Sequence, residues 1–151
     1  MELTHIDKKG KARMVDISRK RMVHREAVAS GKIFLAPDTM KLIRDNQMGK
    51  GDVLSTARIA GISGGKMTSS LIPLSHNITI NKIDIDLEME DDGIRVRSTA
   101  VCDGKTGIEM EALTSVSIAA LTIYDMCKAV DKNMVISEIK LEEKRKSEIH
   151  D

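Results

Sequence analysis

Between Ile78 and Cys102 the sequence has a period of two, and no other stretch restricts the fold as much. Ile83, Ile85, Leu87 and Met89 alternate with Asp84, Asp86, Glu88 and Glu90. Successive side chains of a strand point to opposite faces, so this spacing predicts a strand with one apolar face and one wet, acidic face. Ile78 and Ile80 alternate as well, but Asn81-Lys82 slips the register, which predicts a bulge. Asp91-Asp92-Gly93 supplies a hairpin turn, and Ile94, Val96, Ala100 and Cys102 mark the returning strand. A lone hairpin is at best marginal in water. The rest of the chain must cover its apolar face.

One cover is a long helix from about Ile108 or Glu111 to Val130. Leu113, Val116, Ala120, Ile123, Cys127 and Val130 follow each other at steps of three and four and make one apolar seam. Ile118 and Leu121 lie off that seam. A helix apolar on more than one side is sandwiched, so self-association is expected to supply the second cover. Upstream, Pro37-Asp38 opens a short helix with Asp38 as N-cap, and Asn46-Gln47-Met48-Gly49 closes it. A second helix starts near Asp52 and runs toward Leu71, where Pro73 stops it; its weak point is Gly64-Gly65. A final strand spans Met134 to Leu141, followed by a charged tail over 142–151. Residues 1–30, rich in Lys and Arg as far as Arg25, read as a basic arm or edge segment. Helices, a hairpin, a helix and a strand within one domain over 1–151 indicate an α+β fold, an antiparallel sheet packed by helices.

Composition narrows the function. Phe34 and Tyr124 are the only rings, so the core is Ile, Leu, Val, Ala and ten Met, and stacking-based recognition of bases is disfavoured. The 24 Lys+Arg against 23 Asp+Glu leave a net charge of +1, which gives no general field for nucleic acid or an anionic membrane. Anion binding must come from local clusters. Cys102 and Cys127 have no metal-ligand or disulfide-framework spacing, so no metal site is expected and a reducing cytoplasm is the default. The longest uncharged stretch, Ala112 to Tyr124, is too short for a membrane span, and the first residues lack an apolar leader. A soluble, untargeted protein is expected.

Several residues have chemistry to offer. Gly61-Ile62-Ser63-Gly64-Gly65-Lys66-Met67-Thr68 resembles a phosphate loop only superficially, because Ala60 and Met67 break the required spacing; close helix packing at Gly61 and Gly64 explains it better. His76, after Pro73-Leu74-Ser75, sits at a helix-to-strand junction where an imidazole can move a proton or donate to an oxygen. Ser75 beside it makes no nucleophile elbow. Glu109 and Glu111 complement the start of the long helix or cap it. Asp125 and Lys128 are three apart, share a face, and continue the second stripe begun by Ile118 and Leu121. Covered, that acid and amine would be tunable. Lys50, in Lys50-Gly51-Asp52, can bring a cation to an anionic ligand.

Longer segments carry a resemblance. Lys50-Gly51-Asp52-Val53, Ala57-Arg58-Ile59-Ala60-Gly61-Ile62, Leu71-Ile72-Pro73-Leu74 before His76, Thr106 through Thr114, and above all Ala119-Ala120-Leu121-Thr122-Ile123-Tyr124-Asp125-Met126-Cys127-Lys128-Ala129-Val130 are similar to the signature segments of the cyclic pyranopterin monophosphate synthase family, the C protein of molybdenum-cofactor biosynthesis. The similarity runs from Leu3-Thr4-His5 to Met134-Val135-Ile136. It implies a ferredoxin-like fold, a homohexamer built as a trimer of dimers, and active sites at subunit interfaces. It implies a lyase that rearranges a cyclised dihydro-GTP to cyclic pyranopterin monophosphate with loss of diphosphate. By resemblance, Asp125 and Lys128 form the acid/base pair with Lys50 beside them. Leu74, Ser75, His76, Glu109, Met110 and Glu111 hold the pterin-forming part, and Arg25 and Lys66 contact phosphate. No cofactor is implied beyond a divalent metal that could accompany the triphosphate, and neither nucleic acid nor membrane is a partner. The runner-up is a non-catalytic, oligomeric nucleotide-binding module of the same fold, whose mark would be a degraded acid/base pair.

Three departures stand out. Ser75 and Asn77 replace the family's Cys and Pro, so a thiol there is not required. Gly64-Gly65 replaces a more helix-favouring pair. Lys144 keeps its place by count, but Arg145-Lys146-Ser147-Glu148 replaces the glycines and second lysine of the family's tail.

Overall fold

The hairpin forms as the alternation requires. In the computed structural model, which describes residues 4–150, β2 (Ile80–Glu90) pairs antiparallel with β3 (Gly93–Gly104), and the register slips between Ile80 and Lys82. Ile83 and Ile85 are buried, while Asp84, Asp86 and Glu88 stay exposed. Arg95 and Arg97 stand opposite Glu88 and Asp86 on that wet face, so its acidic row is matched by cations across the strand pair.

The remaining strands come from the two ends of the chain. β1 (Val23–Phe34) pairs with β3 on one side and with β4 (Val135–Ser147) on the other, giving the antiparallel order β2-β3-β1-β4. The helices between β1 and β2 are α1 (Pro37–Arg44), α2 (Val53–Lys66) and α3 (Thr68–Leu71); α4 (Glu109–Cys127) lies between β3 and β4. This β-α-β-β-α-β order with that sheet order is ferredoxin-like.

Three boundaries differ from the sequence reading. Residues 23–30 are neither arm nor edge but part of an interior strand. Ala27, Ala29, Gly31 and Ile33 point to the helix layer and are buried, and a Cβ on Gly31 would sit 2.8 Å from Val116 Cγ1 of α4. Small residues, not charge, decide that position. At the other end, β4 continues past Leu141 to Ser147, because an edge strand can pair through its backbone while its charged side chains remain in water. Residues 1–3 of the basic arm and Asp151 of the tail lie outside the described residues. Asp38 is not the N-cap of α1: Pro37 takes the first turn and Ala36 the cap position. Asp131 anchors that end instead, accepting from Ala36 N at 2.8 Å and Thr39 Oγ1 at 2.9 Å. Asn46, at φ 52°, closes α1, with Gln47 N bonded to Leu42 O.

α2 and α4 run antiparallel over the sheet, and the glycines of α2 make the contact. A Cβ on Gly61 would come within 2.9 Å of Ser115 O, and one on Gly64 within 2.6 Å of Ile118 Cγ1. The expected weak point is thus a close-packed seam. Helical structure does break after it, at Met67, where Thr68 Oγ1 takes the Gly65 carbonyl at 2.8 Å and starts α3. Val116, Ala120, Ile123 and Cys127 are buried along α4, whereas Val130 lies beyond its end and is exposed. Ile118 is covered by α2 of the same chain, and Leu121 remains exposed. Among the described residues no helix is long and apolar enough to cross a membrane.

Candidate active site

The residues singled out by sequence gather at the two ends of α4. At its C-terminal end, the start of α2 lies alongside because the two helices are antiparallel. Asp52 caps α2, accepting from Ser55 N at 3.1 Å, and Gly51 turns the chain with φ 100°, a conformation glycine adopts freely. Lys50 is thereby aimed at α4. Its Nζ lies 2.9 Å from Asp125 Oδ2 and 3.2 Å from the Asp125 carbonyl, while Lys128 Nζ lies 2.9 Å from Asp125 Oδ1. One ammonium sits on each carboxylate oxygen.

Hydrogen bonds from Lys50 and then Lys128 hold the Asp125 carboxyl below the usual carboxylate range. At neutral pH the cluster is one anion between two cations, at a helix end that favours positive charge. The side chains of Lys50, Asp125 and Lys128 are 51%, 55% and 59% exposed, so the partly desolvated environment expected for this pair is not formed within one chain. Leu121 and Tyr124, the residues leading to the cluster, are themselves exposed.

The N-terminal end of α4 collects the other residues. Glu109 and Glu111 lie in its first turn without a side-chain cap bond, so they complement the helix dipole rather than cap the helix. Glu111 is 3% exposed, its Oε2 has no partner, and burial pushes its carboxyl above the ordinary range. Glu109 pairs with Lys144 Nζ of β4 at 3.1 Å. Arg25 of β1 donates from Nε to the Gly104 carbonyl at 3.0 Å. Arg25, Glu109 and Lys144 line a cleft of about 210 Å³ together with Glu26, Arg145 and Lys146, while Glu111 lies outside it. Lys66 ends α2 on this side, where Gly65 lies against the Glu111 carbonyl, and Met110 is exposed. His76 Nε2 is 2.6 Å from the Val15 carbonyl, and Lys105 donates to the Ser18 carbonyl at 3.1 Å. The segment from Met14 to Ser18 therefore crosses over His76. Leu74 and Ser75, half-buried, form the turn before it, with Ser75 N bonded to Ile72 O.

Glu111 and Asp125 are 14 residues apart on one helix, about 21 Å at 1.5 Å per residue. A single chain cannot bring both to one small molecule's reacting atoms. Sequence reading did not assign Lys105 or Lys146 to the site: Lys105 has no motif around it, and Lys146 belongs to the charged run Lys144-Arg145-Lys146 read as a tail; only the folding of loop and strand ends places them here.

Residues 14–147 match the MoaC family. The chain belongs to that family. The cyclic pyranopterin monophosphate synthase of Peptoclostridium acidaminophilum is 55% identical over 141 residues, covering 93% of this chain and 90% of that protein. The protein of the same name from Heliobacterium modesticaldum is 54% identical over 144 residues, covering 94% and 91%. A molybdenum cofactor biosynthesis bifunctional protein of Chlorobaculum tepidum is 52% identical over 144 residues, 95% of this chain but 46% of its own length. In this MoaC-family chain Asp125 and Lys128, the two residues that the resemblance pairs, are in direct contact.

Proposed function

We propose that this MoaC-family chain is a cyclic pyranopterin monophosphate synthase, a lyase that rearranges a cyclised dihydro-GTP to cyclic pyranopterin monophosphate and releases diphosphate. Family membership supports the reaction, and the observation that carries the site is Asp125 held between Lys50 and Lys128. Opening the dihydropurine ring and closing the new ring move protons at nitrogen and carbonyl centres. An ionised Asp125 accepts such a proton, and either lysine supplies one. In the phosphate step the sugar hydroxyl bonds to the innermost phosphorus while its bond to the diphosphate breaks. The electron pair leaves with the diphosphate, and the hydroxyl proton passes to a base. Cations stabilise the charge that develops, a role for Arg25 and Lys66. His76, Leu74, Ser75, Glu109, Met110 and Glu111 hold the pterin-forming part.

The 21 Å between the two ends of α4 supports a site assembled from two copies, consistent with a homohexamer arranged as a trimer of dimers. A second copy laid on Leu121 and Tyr124 would also remove water from the Asp125 cluster. The protein works in the cytoplasm in this reading. The test is turnover of the cyclised intermediate by wild type, Asp125→Ala and Lys128→Ala, with assembly followed by ultracentrifugation. Diphosphate release undiminished in both variants overturns the assignment; no release from wild type favours a binding module. Mixed oligomers of Asp125→Ala and Glu109→Ala, one change at each end of α4, are expected to regain activity that neither variant has alone. Absence of recovery overturns the shared site.

A further inference from the structure

We infer that the strap from Met14 to Ser18, latched by Lys105, fixes which ring nitrogen His76 offers to the substrate, which makes Lys105 a positioning residue. The inference rests on the synthase reading for what His76 meets, but not for the latch. The strap belongs to no helix or strand as far as Ile17; Val15 and Ile17 are half-buried while Asp16 and Ser18 are exposed, so alternate side chains anchor it. Asp16 folds its far end, accepting at Oδ1 from the Ser18 N–H at 2.8 Å and from the Ser18 hydroxyl. Lys105, in the loop after β3, holds that end to the domain by donating to the Ser18 carbonyl at 3.1 Å. The bonds from Ser18, with Lys105 and His76 nearby, keep the Asp16 carboxyl below the usual range, so the strap carries an anion toward its latch.

The Val15 carbonyl, within the strap, lies 2.6 Å from His76 Nε2. A carbonyl oxygen only accepts, so Nε2 carries the hydrogen. A neutral imidazole has one N–H and one lone pair, and the bond made at one nitrogen sets the state of the other. Nδ1 is therefore the acceptor, and among the described residues no hydrogen bond occupies it. The turn at Leu74 and Ser75, with Ser75 N bonded to Ile72 O, fixes the backbone that leads to the ring. The strap, His76 and Lys105 line an open cleft of about 460 Å³. His76 thus presents a lone pair there, suited to an N–H donor of the purine-derived ring of the cyclised dihydro-GTP. Without the strap nothing in the chain selects this tautomer over the one that donates from Nδ1.

The probe is nitrogen NMR of the full-length protein, free of substrate, with isotope-labelled histidine; the chain has four histidines, and loss of a signal in His76→Gln identifies the one in question. At pH ~8, where an imidazole is ordinarily neutral, His76 is expected to be wholly the Nε2–H tautomer. Lys105→Met, which keeps the stem and removes the ammonium, is expected to give a mixture of tautomers. It should also raise KM about 5–10-fold with little change in kcat, as loss of a binding hydrogen bond does. Lys105→Arg restores both. A hydrogen on Nδ1 in wild type, or a wild-type tautomer in Lys105→Met, overturns the inference; a KM that moves while the tautomer does not shows Lys105 touching substrate directly. A Lys105-dependent tautomer in a protein that releases no diphosphate leaves the strap standing and removes the synthase reading.

Discussion

Gly61→Ala tests whether the α2–α4 seam is set by contact. By intrinsic propensity alone, alanine in a helix gains about 0.8–1 kcal/mol over glycine. The added Cβ would lie 2.9 Å from Ser115 O and 3.1 Å from Ala119 Cβ and would overlap Ile85 Cδ1. The first is backbone, and Ile85 is 1% exposed, so none of the three has room to yield. Overpacking of this kind costs about 1–3 kcal/mol, and three fixed neighbours put it at the upper end. The net is a loss of about 2 kcal/mol, which for a domain of this size lowers Tm by roughly 4–8 °C. Gly65→Ala is the control. Its Cβ overlaps Ser115 Oγ, comes 2.7 Å from Ile83 Cδ1 and meets backbone no closer than 3.2 Å; Ser115 Oγ can turn away only by giving up its bond to the Glu111 carbonyl, so this substitution also costs stability, but less than Gly61→Ala, which meets backbone at 2.9 Å. Thermal unfolding at fixed protein concentration, which keeps any association term constant, measures both. A Gly61→Ala Tm at or above that of Gly65→Ala refutes the reasoning. Because the same seam brings Lys50 to Asp125, Gly61→Ala should also slow diphosphate release.

Asp131→Ala should cost about 2 kcal/mol by leaving Thr39 and the Ala36 N–H without their acceptor, read as a shift of the urea midpoint. Burial pushes the Asp131 carboxyl up, but the bonds from Ala36, Thr39 and Asn133 outweigh it and hold it below 3.8. Its stabilisation is therefore complete above that pH and lost as pH falls through the lowered value. Glu111 has the opposite sign. Burial raises its carboxyl above 4.5, so the folded state binds the proton more tightly, and stability declines as pH rises from 4.5 through the raised value. Glu111→Gln should remove that decline and unfold at a higher temperature than wild type at pH ~8; an unchanged pH profile refutes the burial argument. Burial pushes the Cys102 and Cys127 thiols up to about 11, so a thiol reagent at pH ~8 should label them only as fast as the protein unfolds. Rapid labelling of the native protein would contradict this.

The chain's own patterning determined the local structure. Alternation with a slip at Asn81-Lys82 specifies the bulged β2–β3 hairpin, and steps of three and four specify α4. Both patterns follow from the geometry of a few consecutive residues. The resemblance of the segments around Lys50, His76, Glu109 and Asp125 also pointed to the right family. Tertiary structure alone decided where those segments meet. Charge counts placed residues 23–30 in an arm, yet Ala27, Ala29 and Gly31 let β1 pass beneath α4, since what a small residue packs against lies far away in sequence. The antiparallel seam of α2 and α4 joins Lys50 to Asp125, 75 positions on, and separates both from Glu111. Lys144 and Lys146 read as a solvated tail until pairing with β1 sets them beside Arg25. A side chain's neighbours across a sheet or between helices are fixed by packing of the whole chain, so these juxtapositions have no local signature.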